Sequence, residues 1–408
     1  LTCNLEARSP MDLTYMKYLR GILTFLDAWP YRVFGEKDRA LLIRNNILLF
    51  IVWVYTLLAF AAYIKKNTGV ISFFELGQHY LAFLMNCVSL VFVIILITNL
   101  LLRGSFLSRS NIQTNVIFQI YDRVNRICVI FTIIIFFETW SCIISFNVQP
   151  IYNNYKAGLF SKERPQNATF EHSLYYKQPL NCDTNIYAYV IITIVNFLMV
   201  HDCGSCFGYF DLFMFLMMMH LWGHLKTLDH NLRNFPRPSG EGENSIYSSE
   251  ENDEISKLLK ENIIHYRMIK QFIGKLMETF GIMLCLFIAY HQVSGCLFLL
   301  VCSNLQSSSL IRYGGLTIAM SQQLVQSSIV ICQLLFQIET VPEAVYSLPW
   351  ELMTVKHQRT VLMFLLYVQR EEGIKALGVV PLGVRTMAGV LKTSFSYFML
   401  LRTFAAGE

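Results

Sequence analysis

The chain has 408 residues, 54% hydrophobic and only 15% charged, with a net charge of +5. A soluble domain carries about 25% charged residues, so this is a membrane composition. The positive charge is spread over loops, with no compact basic face interleaved with aromatics, and that excludes nucleic acid as a partner.

A helix crossing the hydrocarbon core needs about 20 mostly apolar residues. The first such segment is 40–64. The residues before it lack the order of a cleaved signal peptide, so the first span is expected to act as the targeting signal. Because Leu1 is not a start methionine, at least an initiator is expected to precede it. The second segment, 76–102, offers His79, Tyr80 and Phe83 at i, i+1 and i+4. Tyr121-Asp122-Arg123 is similar to the acid–arginine–aromatic signature of G-protein-coupled receptors, but it is reversed and precedes the third span instead of following it. Chance accounts for it. The third segment, 127–151, presents Phe137, Trp140 and Ile144 on one face. In the loop beyond it, Asn167-Ala168-Thr169 is the only Asn-x-Ser/Thr triplet in the chain, which makes Asn167 a glycosylation candidate.

The fourth segment, 186–219, carries Tyr189, Thr193 and Phe197 at four-residue spacing. Its Cys203-Gly204-Ser205-Cys206 mimics a redox or metal pair, yet it sits inside a membrane helix with no second ligand pair. Small residues there instead let a neighbouring helix approach closely. The eleven cysteines lie mostly in apolar segments, and no metal is expected. Residues 237–254, rich in Gly, Ser, Asn and acids, read as a disordered loop tip. The fifth segment, 272–302, offers Phe287, Tyr290, His291 and Ser294, and the sixth is 315–338. Glu138, Asp202, Asp211 and Glu278 are costly inside spans and should hydrogen-bond to protein or water. No two are spaced as a catalytic dyad, and no nucleophile motif, phosphate loop or HExxH appears. The chain is therefore expected not to be an enzyme and to need no cofactor. Aromatic walls with a few polar groups suit a small apolar ligand, but the same residue types form interfacial belts. From the residues alone, both readings stand.

Residues 346–370 do not qualify as a span, because Lys356, His357, Gln358, Arg359 and Thr360 occupy the centre. They are expected to form a helix outside the membrane, opened by Ser347 and Pro349. The seventh span, 384–404, is long enough to cross yet carries Lys392, Thr393, Ser394, Ser396, Tyr397 and Arg402. A central lysine costs roughly 2.5–3.5 kcal/mol on insertion scales. Stepping by one helical turn from Gly389 gives Thr393, Ser396 or Tyr397, Leu400, and Thr403 or Phe404. Hydroxyls can line a wetted path, and a ring of leucines can close one. One helix cannot enclose a pore, so the stripe implies copies from several subunits around an axis. A polar seam inside one monomer is the alternative.

With a cytoplasmic N-terminus, 24 lysines and arginines fall inside and 8 outside, which orients the C-terminus extracellularly. The fold class is thus an all-α membrane protein of seven transmembrane helices, with a cytoplasmic anchor helix before the last span. Residues 1–340 make a six-span bundle, 341–383 the anchor region, and 384–408 the seventh span and C-terminus.

Tyr346-Ser347-Leu348-Pro349-Trp350, Gln369, Val390-Leu391-Lys392 and the run Ser394-Phe395-Ser396-Tyr397-Phe398-Met399-Leu400-Leu401-Arg402 resemble the C-terminal signature of insect odorant receptors. The resemblance implies a ligand-gated, non-selective cation channel in which a ligand-tuned subunit joins the shared odorant co-receptor as a heterotetramer. It implies subunit contacts at the anchor, a pore lined by the seventh span, and a hydrophobic volatile bound in the outer half of the bundle. On this resemblance Leu400 takes the position of the narrowest gate, with Tyr397 and Phe404 within one turn. The chain departs from the family at Gln369, which is followed by Arg370-Glu371 where Gln-x-Pro is common, and near Met387, where Phe is common. Ser396 before Tyr-Phe-Met, where the co-receptor has Thr, makes the chain similar to a tuning subunit. The resemblance implies a plasma-membrane location in a sensory dendrite. The alternatives are a seven-span receptor signalling through G proteins, which needs the opposite topology, and a secondary transporter, for which no paired broken helices are visible.

Overall fold

A computed structural model describes residues 17, 20–21, 54–55, 57–63, 65, 115–161, 168–174, 176, 184–239, 246–303, 313–370, 375–376, 380–381 and 383–405. Most of the first span, the second span with His79, Tyr80 and Phe83, and the acceptor Asn167 lie outside the described residues.

The architecture is the all-α one expected. In order come α1 (Asn115–Lys156), α2 (Ile186–Arg233), α3 (Ser249–Ser303), α4 (Gly315–Tyr346), a 3₁₀ turn (Trp350–Leu352), α5 (Val355–Val368) and α6 (Val384–Ala405). A two-residue antiparallel ladder, β1 (Lys375–Ala376) with β2 (Val380–Pro381), precedes α6. Among the described residues, four helical stretches are long and apolar enough to cross a membrane: Gln119–Lys156, Ile186–Arg233, Phe280–Leu299 and Gly315–Leu352. At 1.5 Å per residue, α6 with its 22 residues is about 33 Å long, enough to span, but its polar residues keep it out of that set. The 55 residues of α3 reach about 80 Å, so this helix must continue well beyond a 30 Å hydrocarbon core.

Helix α1 packs along α2, α2 along α4, and α6 along α3. Two glycines of α2, four residues apart, let α1 approach closely. A Cβ at Gly204 would sit 3.1 Å from Ile143 Cγ1, and one at Gly208 only 2.5 Å from Thr139 Oγ1. Without a hydrophobic drive between helices in lipid, such backbone proximity supplies the dispersion contacts that hold them. Beyond the spans the core continues through Leu225, Leu228 and Leu232 of α2, which are fully buried. Tyr121 Oη lies 3.5 Å from His224 Nδ1, which lies 3.2 Å from His265 Nε2, so α1, α2 and α3 are also tied by polar groups. Burial pushes the His265 imidazole down to about 4, so it is neutral at physiological pH.

Two expectations are corrected. The anchor helix is not opened by Ser347 and Pro349: Ser347 caps the end of α4, Pro349 leads into the 3₁₀ turn, and Thr354 is the N-cap of α5. The physical reason is that α4 continues eight residues past 338, through Pro342, because Val341, Ala344 and Val345 are completely buried. Nor is 237–254 a loop throughout. Helix α3 starts at Ser249 behind a reciprocal capping box, in which Ser248 N–H donates to Glu251 Oε2 (2.7 Å) and Glu251 N–H to Ser248 Oγ (3.2 Å). The Ser-x-x-Glu spacing of 248–251 was the available signal, masked by the acidic, low-hydropathy run around it.

Helix α5 is amphipathic. His357, Val361, Phe364 and Val368 are buried, and Tyr266 of α3 meets the rings of Phe364 and Tyr367 at 5.8 and 5.6 Å. The opposite face leaves Leu362, Met363 and Leu366 more than half exposed.

Candidate functional site

Helix α6 has one covered stripe. Val390, Ser394 and Phe398, spaced by four, are buried. Ser394 Oγ donates to the Gln292 carbonyl of α3 (3.0 Å), while Thr393 Oγ1 lies 2.6 Å from Gln292 Oε1. A Cβ at Gly295 would sit 3.1 Å from Ser394 Oγ, so α3 offers α6 a glycine notch. The other described side chains from Gly389 onward are exposed. Gly389, Lys392, Thr393, Ser396 and Thr403 are exposed, as are Tyr397 at 55% and Leu400 at 50%. The side chain of Phe404 lies outside the described residues. This open face is the same stripe of hydroxyls and leucine that the sequence singles out.

The aromatic candidates divide into three groups. Phe287, Tyr290, His291 and Ser294 of α3 are all buried, with ring centroids 4.0 Å apart for Phe287–His291 and 4.7 Å for Tyr290 with Phe207 of α2. Tyr189 instead belongs to a small separate cluster with Leu159 and Phe170. It stacks on Phe170 at 4.4 Å and bonds Asn154 through its hydroxyl (2.9 Å), and Thr193 donates back to the Tyr189 carbonyl. On α1, Trp140 is half-buried with its ring 5.2 Å from His201, whereas Phe137 and Ile144 are 65% and 47% exposed. Phe197 is half-buried.

Several buried polar atoms have no hydrogen-bond partner among the described residues: the Tyr290 hydroxyl, both side-chain atoms of Asn196, Ser205 Oγ and Asp211 Oδ2. Buried polar groups are ordinarily paired, so each asks for water or a ligand. Three of the four acids face protein, while Glu278 is exposed. Asp202 meets His201 at 3.2 Å, Glu138 accepts from Gln322 (2.8 Å), and Asp211 Oδ1 lies 3.1 Å from Ser327 Oγ. A cavity of about 40 Å³ opens beside Asp211, walled by Phe210 and Met214 of α2, Phe287 of α3, Ser327 and Ser328 of α4, and the start of α6.

The model of the 7tm Odorant receptor family matches residues 80–395 of this sequence, well over half the chain. The chain belongs to the odorant receptor family. Among solved structures it is similar to the insect olfactory receptor OR5 from Machilis hrabei, with a TM-score of 0.78 at 11% identity over 94% of this chain and 97% of that chain. OR5 from the same organism in complex with eugenol gives a TM-score of 0.77 at 10% identity, over 97% of this chain and 100% of that one. At such identities the likeness shows the fold. No curated protein sequence matches the chain.

For this odorant receptor, the sequence missed Asn196 and Ser205 as candidates. Tyr189, Asn196, Cys203 and Phe210 are all at most 5% exposed, and they recur every seven residues. Seven residues turn a helix by 700°, only 20° short of two turns, whereas each four-residue step overshoots one turn by about 40°. The series Tyr189, Thr193, Phe197 therefore walks off the buried face.

Proposed function

We infer that this receptor is an odorant-gated, non-selective cation channel subunit that binds a small hydrophobic volatile and assembles with the odorant co-receptor as a heterotetramer in the plasma membrane of sensory dendrites. The observation that carries this reading is the open face of α6. A 22-residue helix with a three-residue covered stripe leaves a hydroxylated, leucine-bearing side uncovered. Lipid suits that side poorly, and water enclosed by sister copies suits it well. Gly389, Thr393, Ser396, Tyr397, Thr403 and Phe404 then line the conduit, with Leu400 as the gate. The exposed apolar side of α5, with Leu362, Met363 and Leu366, supports the anchor as the place where subunits meet.

Ligand binding is assigned to the bundle core around Phe287, Tyr290, His291 and Ser294, with the half-buried Trp140 and Phe197 and, on span two, His79, Tyr80 and Phe83; Tyr189, with Thr193 bonded to its carbonyl, belongs to a separate cluster, and the outward-facing Phe137 and Ile144 are left out. The partnerless Tyr290 hydroxyl supports the α3 group most, because it can accept or donate one bond to a weakly polar volatile. That OR5 from Machilis hrabei has been solved with eugenol supports an aromatic or comparably sized volatile as the ligand class. The N-terminus is assigned to the cytoplasm and the Asn167 sequon to the outside.

The test is whole-cell recording with a panel of volatiles, with and without the co-receptor. Ligand-evoked cation current that requires the co-receptor is expected. Response through a second messenger without channel current, or steady uptake, would overturn the reading in favour of a G-protein-coupled receptor or a transporter. Glycosylation mapping at Asn167 checks the orientation independently.

A further inference from the structure

The cavity beside Asp211 lies apart from the aromatic candidates, touching them only at Phe287. Its walls are otherwise apolar except for four residues, Asp211, Ser327, Ser328 and Thr386, all of which offer oxygen. Asp211 is 3% exposed and its Oδ2 has no hydrogen-bond partner among the described residues. The other carboxylate oxygen faces Ser327 Oγ at 3.1 Å, but that hydroxyl has one proton and lies closer, at 2.7 Å, to the Gln323 carbonyl. Ser328 likewise directs its proton to the Leu324 carbonyl (2.8 Å). The Ser328 proton is committed to a helix carbonyl and the single Ser327 proton is divided between the Gln323 carbonyl and Asp211 Oδ1, so the carboxylate is left short of donors. No ion pair with Asp211 or Glu138 occurs among the described residues.

An oxygen-only set carrying one negative charge in a membrane interior calls for one positive charge, because an isolated buried carboxylate is too costly to persist. The cavity's 40 Å³ admits a bare or singly hydrated small ion and no organic cation of odorant size. A divalent ion prefers six or more oxygens and usually more than one carboxylate. Glu138, the neighbouring acid, is engaged by Gln322 and does not line the cavity.

We propose that Asp211, Ser327, Ser328 and Thr386 form a monovalent-cation site of sodium size between α2, α4 and the first turns of α6. Gly383, just before α6, and Thr386, Met387 and Val390 of α6 form one wall, so an ion there ties the start of that helix to the bundle. The effect on gating rests on the channel reading above; the binding itself does not.

The experiment is therefore run twice. Purified receptor is heated in sodium chloride and in the same concentration of N-methyl-D-glucamine chloride, whose cation is too large for the cavity. Sodium is expected to raise the melting midpoint by about 2 °C or more, with no such rise in D211N and a smaller one in S327A and T386A. In cells with the co-receptor, replacing cytoplasmic sodium by N-methyl-D-glucamine is expected to shift odorant EC50 by about fivefold in the parent and not in D211N. A midpoint indifferent to the cation in the parent, or a sodium effect retained in D211N, S327A and T386A alike, overturns the site; equal, cation-independent melting of parent and D211N would identify Asp211 as a neutral acid. A sodium-dependent midpoint without any odorant current keeps the site and rejects the channel reading instead.

Discussion

Replacing Gly295 with alanine tests whether α6 moves against α3 when the channel opens. The new Cβ would lie 3.1 Å from Ser394 Oγ, tighter than ordinary contact, and 3.4 Å from its Cβ. Relief requires the Ser394 hydroxyl to turn away or α6 to lift by a few tenths of an ångström. Either way the 3.0 Å bond from Ser394 to the Gln292 carbonyl weakens. A hydrogen bond of this kind in a membrane is worth about 0.6–1.5 kcal/mol. If it is made in only one gating state, its loss shifts the closed–open equilibrium roughly three- to twelve-fold. The assay is odorant dose–response in cells expressing the co-receptor, comparing G295A, S394A and the double variant. S394A removes both the hydroxyl and the clash, so the double variant should match S394A alone, with a coupling energy close to the effect of G295A. Strictly additive shifts, or a G295A receptor with parental EC50, would refute the idea that this contact changes on gating.

On the same helix, Leu400→Ala is expected to raise leak or alter permeation without lowering surface expression, whereas Phe398→Ala, which removes a buried ring, should lower the folded fraction, read by gel filtration of the detergent-solubilised receptor. Gly208→Ala places a carbon 2.5 Å from Thr139 Oγ1 and should destabilise the α1–α2 contact by about 1–3 kcal/mol; Thr139→Ala on that background should recover most of the loss in a thermal melt, and no recovery would mean the helices meet elsewhere. Glu251 is held near 2, from an ordinary 4.5, first by the Ser239 hydroxyl and then by the Ser248 and Ser239 amides. A depressed carboxyl stabilises above its unfolded value and loses that contribution as pH falls from about 4.5 to about 2. Hydrogen exchange at the Ser248 and Ser239 amides should accelerate across that window in the parent and be flat with pH in E251Q, once corrected for intrinsic exchange. Tyr290→Phe should raise odorant EC50 with little change in stability, because the hydroxyl it removes has no hydrogen-bond partner among the described residues.

Much of the fold was legible because membrane helices obey a length rule. A bilayer accepts helices of about 20 apolar residues or longer, and the third to sixth segments stand out on that ground alone. The polar stripe of the last span was also readable, since it conflicts with the rest of the composition. Helix faces were not. In α1, Phe137 and Ile144 point outward while Ile135, Ile143 and Phe146 are buried. Both sets are apolar, because lipid and core accept the same side chains, so periodicity carries no sign for which side is in.

By itself the sequence determined the helical class, the third to sixth apolar segments and the unusual chemistry of α6, since these follow from local hydropathy and hydrogen-bonding capacity. Only the tertiary structure decided which polar groups end without partners, that Asp211 faces Ser327 from 116 positions away, and that Ser394, not Thr393, sits in the glycine notch of α3. Those outcomes depend on the rotation of one helix against another. That rotation is set by where two backbones can approach, as at Gly204, Gly208 and Gly295, and no stretch of a single helix contains it.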